Sequence, residues 1–183
     1  GNTLILYREL IRAPGISDKP IYDDRLREVA PSGETVWEWS SADHFEEFEF
    51  TEEAKSLIRK RGGDWAHTNT SDVLPDGSII ICFRNLGMIA IVHRDSGRFT
   101  WKYDKLIGPH HPNMIGMGML GEGNIIVYDN GGQSGYPLKY RDYTRLVEID
   151  PKTRYLLTRM EEDFSRQHLE EKSYGSLSTH TLV

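Results

Sequence analysis

The sequence holds one cysteine, Cys82, in 183 residues. A single thiol excludes an internal disulfide framework and a cysteine-ligated metal centre. It sits in "IIICF" at 79–83 and reads as a small buried apolar residue. No apolar run approaches the ~20 residues needed to cross a bilayer. A basic stripe is also lacking. The 22 Lys and Arg are interspersed with 28 Asp and Glu, for a net charge of -6 and a pI near 5.6, which argues against a nucleic-acid partner. The first residues carry no signal-peptide pattern. That absence has no weight, because residue 1 reads as a position in mid-structure.

What the chain does have is an internal repeat. "GNTLILYR" at 1–8, "GSIIICFR" at 77–84 and "GNIIVYDN" at 123–130 align without gaps, each a turn glycine followed by an apolar strand. Each is followed by a strand–turn–strand element: "EVAPSGETVWEW" at 28–39, "VHRDSGRFTWKY" at 92–103 and "EIDPKTRYLLTR" at 148–159. Trp37, Trp101 and Leu157 fall at one equivalent position, and Trp37, Trp39 and Trp101 read as blade-packing residues. Units of about four short strands repeated along a chain indicate a β-propeller. The expected fold is all-β: a partial propeller of four-stranded antiparallel blades. We expect a part-blade at 1–40, a blade at 64–104, another at 105–161, and the start of a further blade at 162–183. Between the first two, residues 41–63 carry helix formers and end in Gly62-Gly63, which predicts a short helical insertion near 43–61 with Phe48, Leu57 and Ile58 on one face. Unless chains associate as a homo-oligomer, the ragged ends read as part of a longer protein.

The segment "DWAHTNTSDVLPDGSIIICFRN" at 64–85 places polar residues where a strand's neighbours are apolar. Strict alternation puts Trp65, His67, Asn69 and Ser71 on one face. A tight Pro75-Asp76 turn sets His67 opposite Arg84, whereas a turn at Asp76-Gly77 sets Asn69 there. Either way His67, Asn69 and Arg84 come within ~5–8 Å of one another, a cluster suited to an anion. In the repeat, Arg84 corresponds to Arg8 and Asn130. Counting back from the turn glycines, His67 corresponds to Asn113, with His111 two residues earlier. Equivalent positions on inner strands converge on a propeller's channel, so these side chains would meet there. The alternative is that they satisfy backbone groups inside the propeller. His93 reads as structural, while His44, His168 and His180 read as surface residues and "EEFEFTEE" as a solvated acidic face.

"DWAHTN", "LPDGSIIICFRN", "SGRFTWKY", "GPHHPNM", "GEGNIIVYDNGG" and "YTRLVEIDPKT", in this order, resemble the arylsulfotransferase family. The resemblance runs from the first residues to about residue 165 and is weaker beyond. It implies a six-bladed propeller, about half of it in this chain, and a periplasmic or extracellular location. It implies transfer of a sulfuryl group from a phenolic sulfate donor to a phenol acceptor through a sulfated histidine, without a nucleotide sulfate donor, a cofactor or a metal. The nucleophile resembles the His of "GPHH". Strand parity favours His111 over His110, and a bulge would reverse that. His67 and Asn69 match the family's His-x-Asn, and Arg84 its sulfate-binding Arg. A further family His belongs to a blade before Gly1, so this chain alone is expected to be inactive. Two other readings stay open: a non-catalytic propeller binding an anionic or aromatic ligand, and a metal hydrolase using His67, His110 and His111 with Asp129 nearby.

Overall fold

The structure, a computed structural model, describes residues 1–162. His168, His180 and all but the first residue of the further blade expected at 162–183 lie outside the described residues. Strands β1 (Thr3–Ile11), β2 (Ile21–Val29) and β3 (Thr35–Ser40) form a three-stranded antiparallel sheet. A 3-10 turn (Phe45–Phe48) and helix α1 (Glu52–Arg61) follow, within the expected insertion. Strands β4 (Thr68–Val73), β5 (Ile79–Phe83), β6 (Met88–Val92) and β7 (Phe99–Tyr103) make a four-stranded sheet in sequence order. The last sheet joins β8 (Pro109–Met114), β9 (Ile125–Asp129), β12 (Thr144–Ile149) and β13 (Leu156–Glu162). A small hairpin of β10 (Gly132–Ser134) and β11 (Lys139–Arg141) is inserted between β9 and β12. The fold is therefore the all-β, propeller-like series of blades that the repeat predicts. Among the described residues no helix is long and apolar enough to cross a membrane.

The blades stack through their faces, and burial explains the apolar patterns. Ile79, Ile81 and Phe83 of β5 pack in one core with Leu26, Trp39 and the insertion. Ile80 and Cys82 enter a second core with Ile125, Val127, Val147 and Ile149. Strand β5 is covered on both faces, so it is apolar at every position; each such side chain contributes roughly 1.5–3 kcal/mol on burial. Indole N–H groups staple one blade to the next. Trp37 and Trp39 donate to the carbonyls of Arg94 and Gly97, and Trp101 donates to Pro151, each at 2.9 Å.

The insertion plugs the first core. Phe45, Phe48 and Phe50 surround Trp65 with ring centroids 5.4–6.2 Å away. The Thr51 hydroxyl caps α1 by accepting from the Ala54 N–H at 3.2 Å. Phe48 and Ile58 face inward as expected, whereas Leu57 is exposed. The acidic stretch is not wholly solvated. Glu47 is half-buried and accepts from the Phe99 N–H at 3.0 Å, and His44 stacks on Trp39 with a centroid distance of 5.3 Å. His44 is thus a packing residue, because the turn at 42–45 folds it back onto the indole. His93 lies in the turn before β7, its Nδ1 3.2 Å from the Ser96 hydroxyl.

Two sequence-derived registers change. The β4–β5 loop closes with the Leu74 N–H on the Ser78 carbonyl, but the β8–β9 loop closes with Ile115 on Asn124. The second loop is longer, so counting back from the glycines slips. The pairing sets Asn113 opposite Ile126, level with Asp72 opposite Ile80, and His67 level with Gly108. Strict alternation also fails. A bulge at Asn69, between the Thr68–Phe83 and Thr70–Cys82 pairs, breaks the shared face. Trp65 is fully buried among the Phe rings, so it does not share a face with His67.

Candidate active site at one end of the inner strands

His67 and Asn69 enter β4, Arg84 leaves β5, His110 and His111 enter β8, and Asn130 follows β9. Antiparallel pairing puts all of them at the same end of their sheets. Arg8, near the end of β1, is opposite Asp24 at the corresponding end of the first sheet. Asn113 sits further along β8.

The backbone is strained at both histidines that the sequence reading stressed. His67 has φ +54° and His111 φ +49°, two of four non-glycine residues with positive φ among the described residues. Such a conformation costs about 1–2 kcal/mol for an L-residue, and surrounding bonds hold it in place. At His67, the carbonyl accepts from the Arg84 N–H at 3.0 Å, and the Asn85 N–H bonds to Ala66 at 3.0 Å. At His111, which lies in a bulge between the His110–Tyr128 and Asn113–Ile126 pairs, the N–H donates to the Thr70 hydroxyl at 3.3 Å. The Asn113 side chain donates to its carbonyl at 3.0 Å. Left-handed residues held this way cluster at functional sites.

Inter-blade bonds bring the β4 and β8 segments together. Asn69 Nδ2 and the Cys82 thiol both donate to the Pro109 carbonyl, at 2.9 and 3.1 Å. Asn69 Oδ1 is buried without a partner. The two GPHH histidines differ. His110 is half-buried, its Nδ1 2.9 Å from the Gly108 carbonyl, and it pairs across from Tyr128 on the sheet face. A carbonyl only accepts, so Nδ1 carries the proton there. His111 is exposed on the bulge, its ring open to an incoming molecule.

Arg84 lies in a 3-10 turn (Arg84–Leu86), with Nη1 donating to Asn85 Oδ1 at 3.0 Å and to the Gln133 carbonyl at 3.3 Å. Buried Asn85 ties three pieces together: it holds Arg84, donates to the Asp64 carbonyl at 2.8 Å, and accepts from the Gly135 N–H at 2.7 Å through its own carbonyl. The β10–β11 hairpin thus braces the turn that presents Arg84. Asn130 is exposed; its carbonyl accepts from the Thr144 hydroxyl at 2.8 Å. A cavity of about 300 Å³ opens beside the turn of this hairpin, lined by Phe50, Leu86, Met88 and Tyr136. None of the predicted site residues lines it.

Sequence reasoning missed two carboxylates. Asp64 Oδ2 lies 2.5 Å from His67 Nδ1 and 3.4 Å from Arg8 Nη1. Asp24, on β2, accepts from the Thr68 N–H at 2.7 Å and lies 3.9 Å from Arg8 Nε. Burial pushes the Asp24 carboxyl up despite the Thr68 bonds and Arg8. Asp64 stands three residues before His67 in "DWAH", which was the available signal. Asp24 left none, since its partner is 44 residues away. Asp129, the carboxylate offered for a metal, is instead fully buried and bound by Arg141 and Arg145 at 2.8 Å each. Among the described residues no three His, Cys, Asp or Glu side chains are grouped to hold a metal.

No curated protein matches the chain. Its fold is similar to a crystal structure of a protein of unknown function from Bacteroides caccae, with a TM-score of 0.43 and 13% identity. That match covers 87% of this chain and 50% of the other, so the chain spans about half the length of the solved structure. The family model Arylsulfotransferase (ASST) matches residues 1–105, a span that includes Arg8, His67, Asn69 and Arg84. On that match over more than half of its length, the chain belongs to the arylsulfotransferase family.

Proposed function

We propose that this chain contributes part of the active site of an aryl-sulfate sulfotransferase that uses no nucleotide sulfate donor. One observation supports the reading above the others. Within a family-matched segment, His67 and Arg84 sit side by side, and the bulge that exposes His111 is tied to the same strand by the Asn69 side chain donating to the Pro109 carbonyl and by the His111 N–H donating to the Thr70 hydroxyl.

In this reading, His111 attacks the sulfur of a phenolic sulfate. The S–O bond to the phenol breaks, an N–S bond forms, and a phenolate leaves. The covalent intermediate splits one difficult transfer into two easier steps. His67 donates a proton to the leaving oxygen and takes one from the acceptor phenol in the second step, which restores free His111. The Arg84 guanidinium faces the charge on the sulfuryl oxygens. Asn69 fixes the spacing of the two inner strands through Pro109, and His110 braces the bulge through Gly108. Arg8, Asn113 and Asn130 line the same end of the blades or the strand beside it. The buried indole of Trp65 packs the wall behind His67 and touches no substrate. The phenolic substrates and the periplasmic or extracellular location that the family implies are part of this proposal.

The test is to incubate the intact protein with 4-nitrophenyl sulfate, with and without phenol, and to digest a quenched sample for mass analysis. The expected result is phenol-dependent nitrophenolate release and a sulfate adduct on the peptide 109–114. The adduct should be lost in His111→Ala and kept in His110→Ala. An adduct that survives His111→Ala refutes the assignment. Tight binding of aryl sulfates without release would point instead to a ligand-binding propeller.

A further inference from the structure

The Asp64 carboxylate has no role in the chemistry outlined above. It lies on the loop before β4, and its Oδ2 is 2.5 Å from His67 Nδ1. A carboxylate accepts, so the imidazole carries a proton at Nδ1, and Nε2 is the nitrogen that gives and takes the transferred proton. Oδ2 also faces Arg8 Nη1 at 3.4 Å, which links β1 of the first blade to His67. The loop itself is held by the Asn85 side chain on the Asp64 carbonyl. The other carboxylate oxygen, Oδ1, is buried with no hydrogen-bond partner. An unsatisfied buried oxygen of this kind is destabilising. Blade packing does not need that cost, because Asp24 already bonds β2 to the Thr68 N–H. The left-handed backbone at His67 adds a second unfavourable feature at the same place. Two destabilising features maintained around one imidazole point to a function for its orientation.

We infer that Asp64 is a positioning residue: it fixes the tautomer and ring orientation of His67 and stabilises the imidazolium, with Arg8 holding the carboxylate in place. This rests on the sulfotransferase reading only in assigning His67 the proton transfer. The asymmetry between leaving groups then follows. A phenolate that is a poor leaving group needs the proton from His67, and a good one such as 4-nitrophenolate does not.

The experiment compares the intact protein with Asp64→Asn, using phenyl sulfate and 4-nitrophenyl sulfate as donors. The His side-chain tautomers are read in parallel by long-range ¹H–¹⁵N NMR. With phenyl sulfate and no acceptor, the single-turnover rate of the first step, release of the donor's phenol, should fall about 10²–10⁴-fold. With 4-nitrophenyl sulfate the fall should stay below about tenfold, since the proton contribution is not needed there. KM should change little for either. The His67 ring should be Nδ1-protonated in the parent protein and lose that preference in Asp64→Asn, with Asp64→Glu restoring part of it. Equal slowing with both donors, or an unchanged tautomer, overturns the inference. If the parent protein transfers no sulfuryl group at all, the sulfotransferase reading fails. The tautomer measurement then still decides whether Asp64 sets the state of His67, even without turnover.

Discussion

Asp129→Asn offers a sharp test of how the blade end is built. Asp129 is fully buried at the end of β9. Its Oδ1 accepts from the Ile107 N–H at 2.7 Å, and its Oδ2 accepts from Arg141 Nη1 and Arg145 Nε at 2.8 Å each. Arg141 also donates to the Asp129 carbonyl at 2.5 Å. The Arg side chains are only 9% and 18% exposed, so water replaces little of what the carboxylate supplies. Asparagine keeps the volume and one acceptor but removes the charge, and its N–H₂ turns a donor toward other donors. Breaking a buried ion pair by removing one partner costs about 3–5 kcal/mol. At about 2–4 °C per kcal/mol for a chain of this size, Tm should fall by roughly 6–20 °C. The assay is urea denaturation of the intact protein followed by tryptophan fluorescence, alongside a thermal melt. The loss should grow no smaller in high salt, because screening acts weakly on buried pairs. A loss below about 1 kcal/mol would refute the reasoning, since it would mean that solvent already competes for both guanidinium groups. The change should also loosen the hairpin that carries Gln133, and with it one contact of Arg84.

Two further outcomes are expected. Arg84→Ala should lower sulfuryl transfer by about 10²–10³-fold while Tm moves by only a few degrees, since Arg84 is half-exposed and its contacts run to Asn85 and Gln133; near-normal turnover would remove it from the site. Asp24 tests the pH dependence. Burial raises its folded-state pKa above the ordinary carboxylate value, so its ionised form is a cost to the fold at neutral pH. That cost is relieved as pH falls through the folded-state value. Asp24→Asn should therefore be no less stable than the parent at pH 7, and its relative advantage should shrink in melts run toward acid pH. An advantage that grows toward acid would have the wrong sign.

The blades were legible because they rest on local patterns. A turn glycine before an apolar strand, and a large apolar residue after the following turn, recur along the chain: Trp37 pairs with Glu28, Trp101 with Ile91 and Leu157 with Glu148. The apolar run of β5 signalled burial on both faces, and the alternation in β9, with Tyr128 exposed, a half-covered one. The insertion was legible from its helix formers and its closing glycines. The site was legible in part, as the proximity of His67 to Arg84 follows from one hairpin. Register across the β8–β9 loop was not, because loop length is invisible to a count from the glycine. Nor was the bulge at Asn69, which breaks the alternation along β4.

The sequence by itself determined the elements, their order and the residue types offered at the blade ends, since these depend on strand period, turn chemistry and short-range pairing. Only the tertiary structure decided which groups meet. Trp65 turns into the core because three Phe rings of the insertion close over it. Asp129 meets Arg141 of the β10–β11 hairpin and Arg145 of the paired strand β12, and Asp24 reaches Thr68 from another blade. Charges and rings find partners across space to avoid being buried alone, and that choice is not written in any local stretch of the chain.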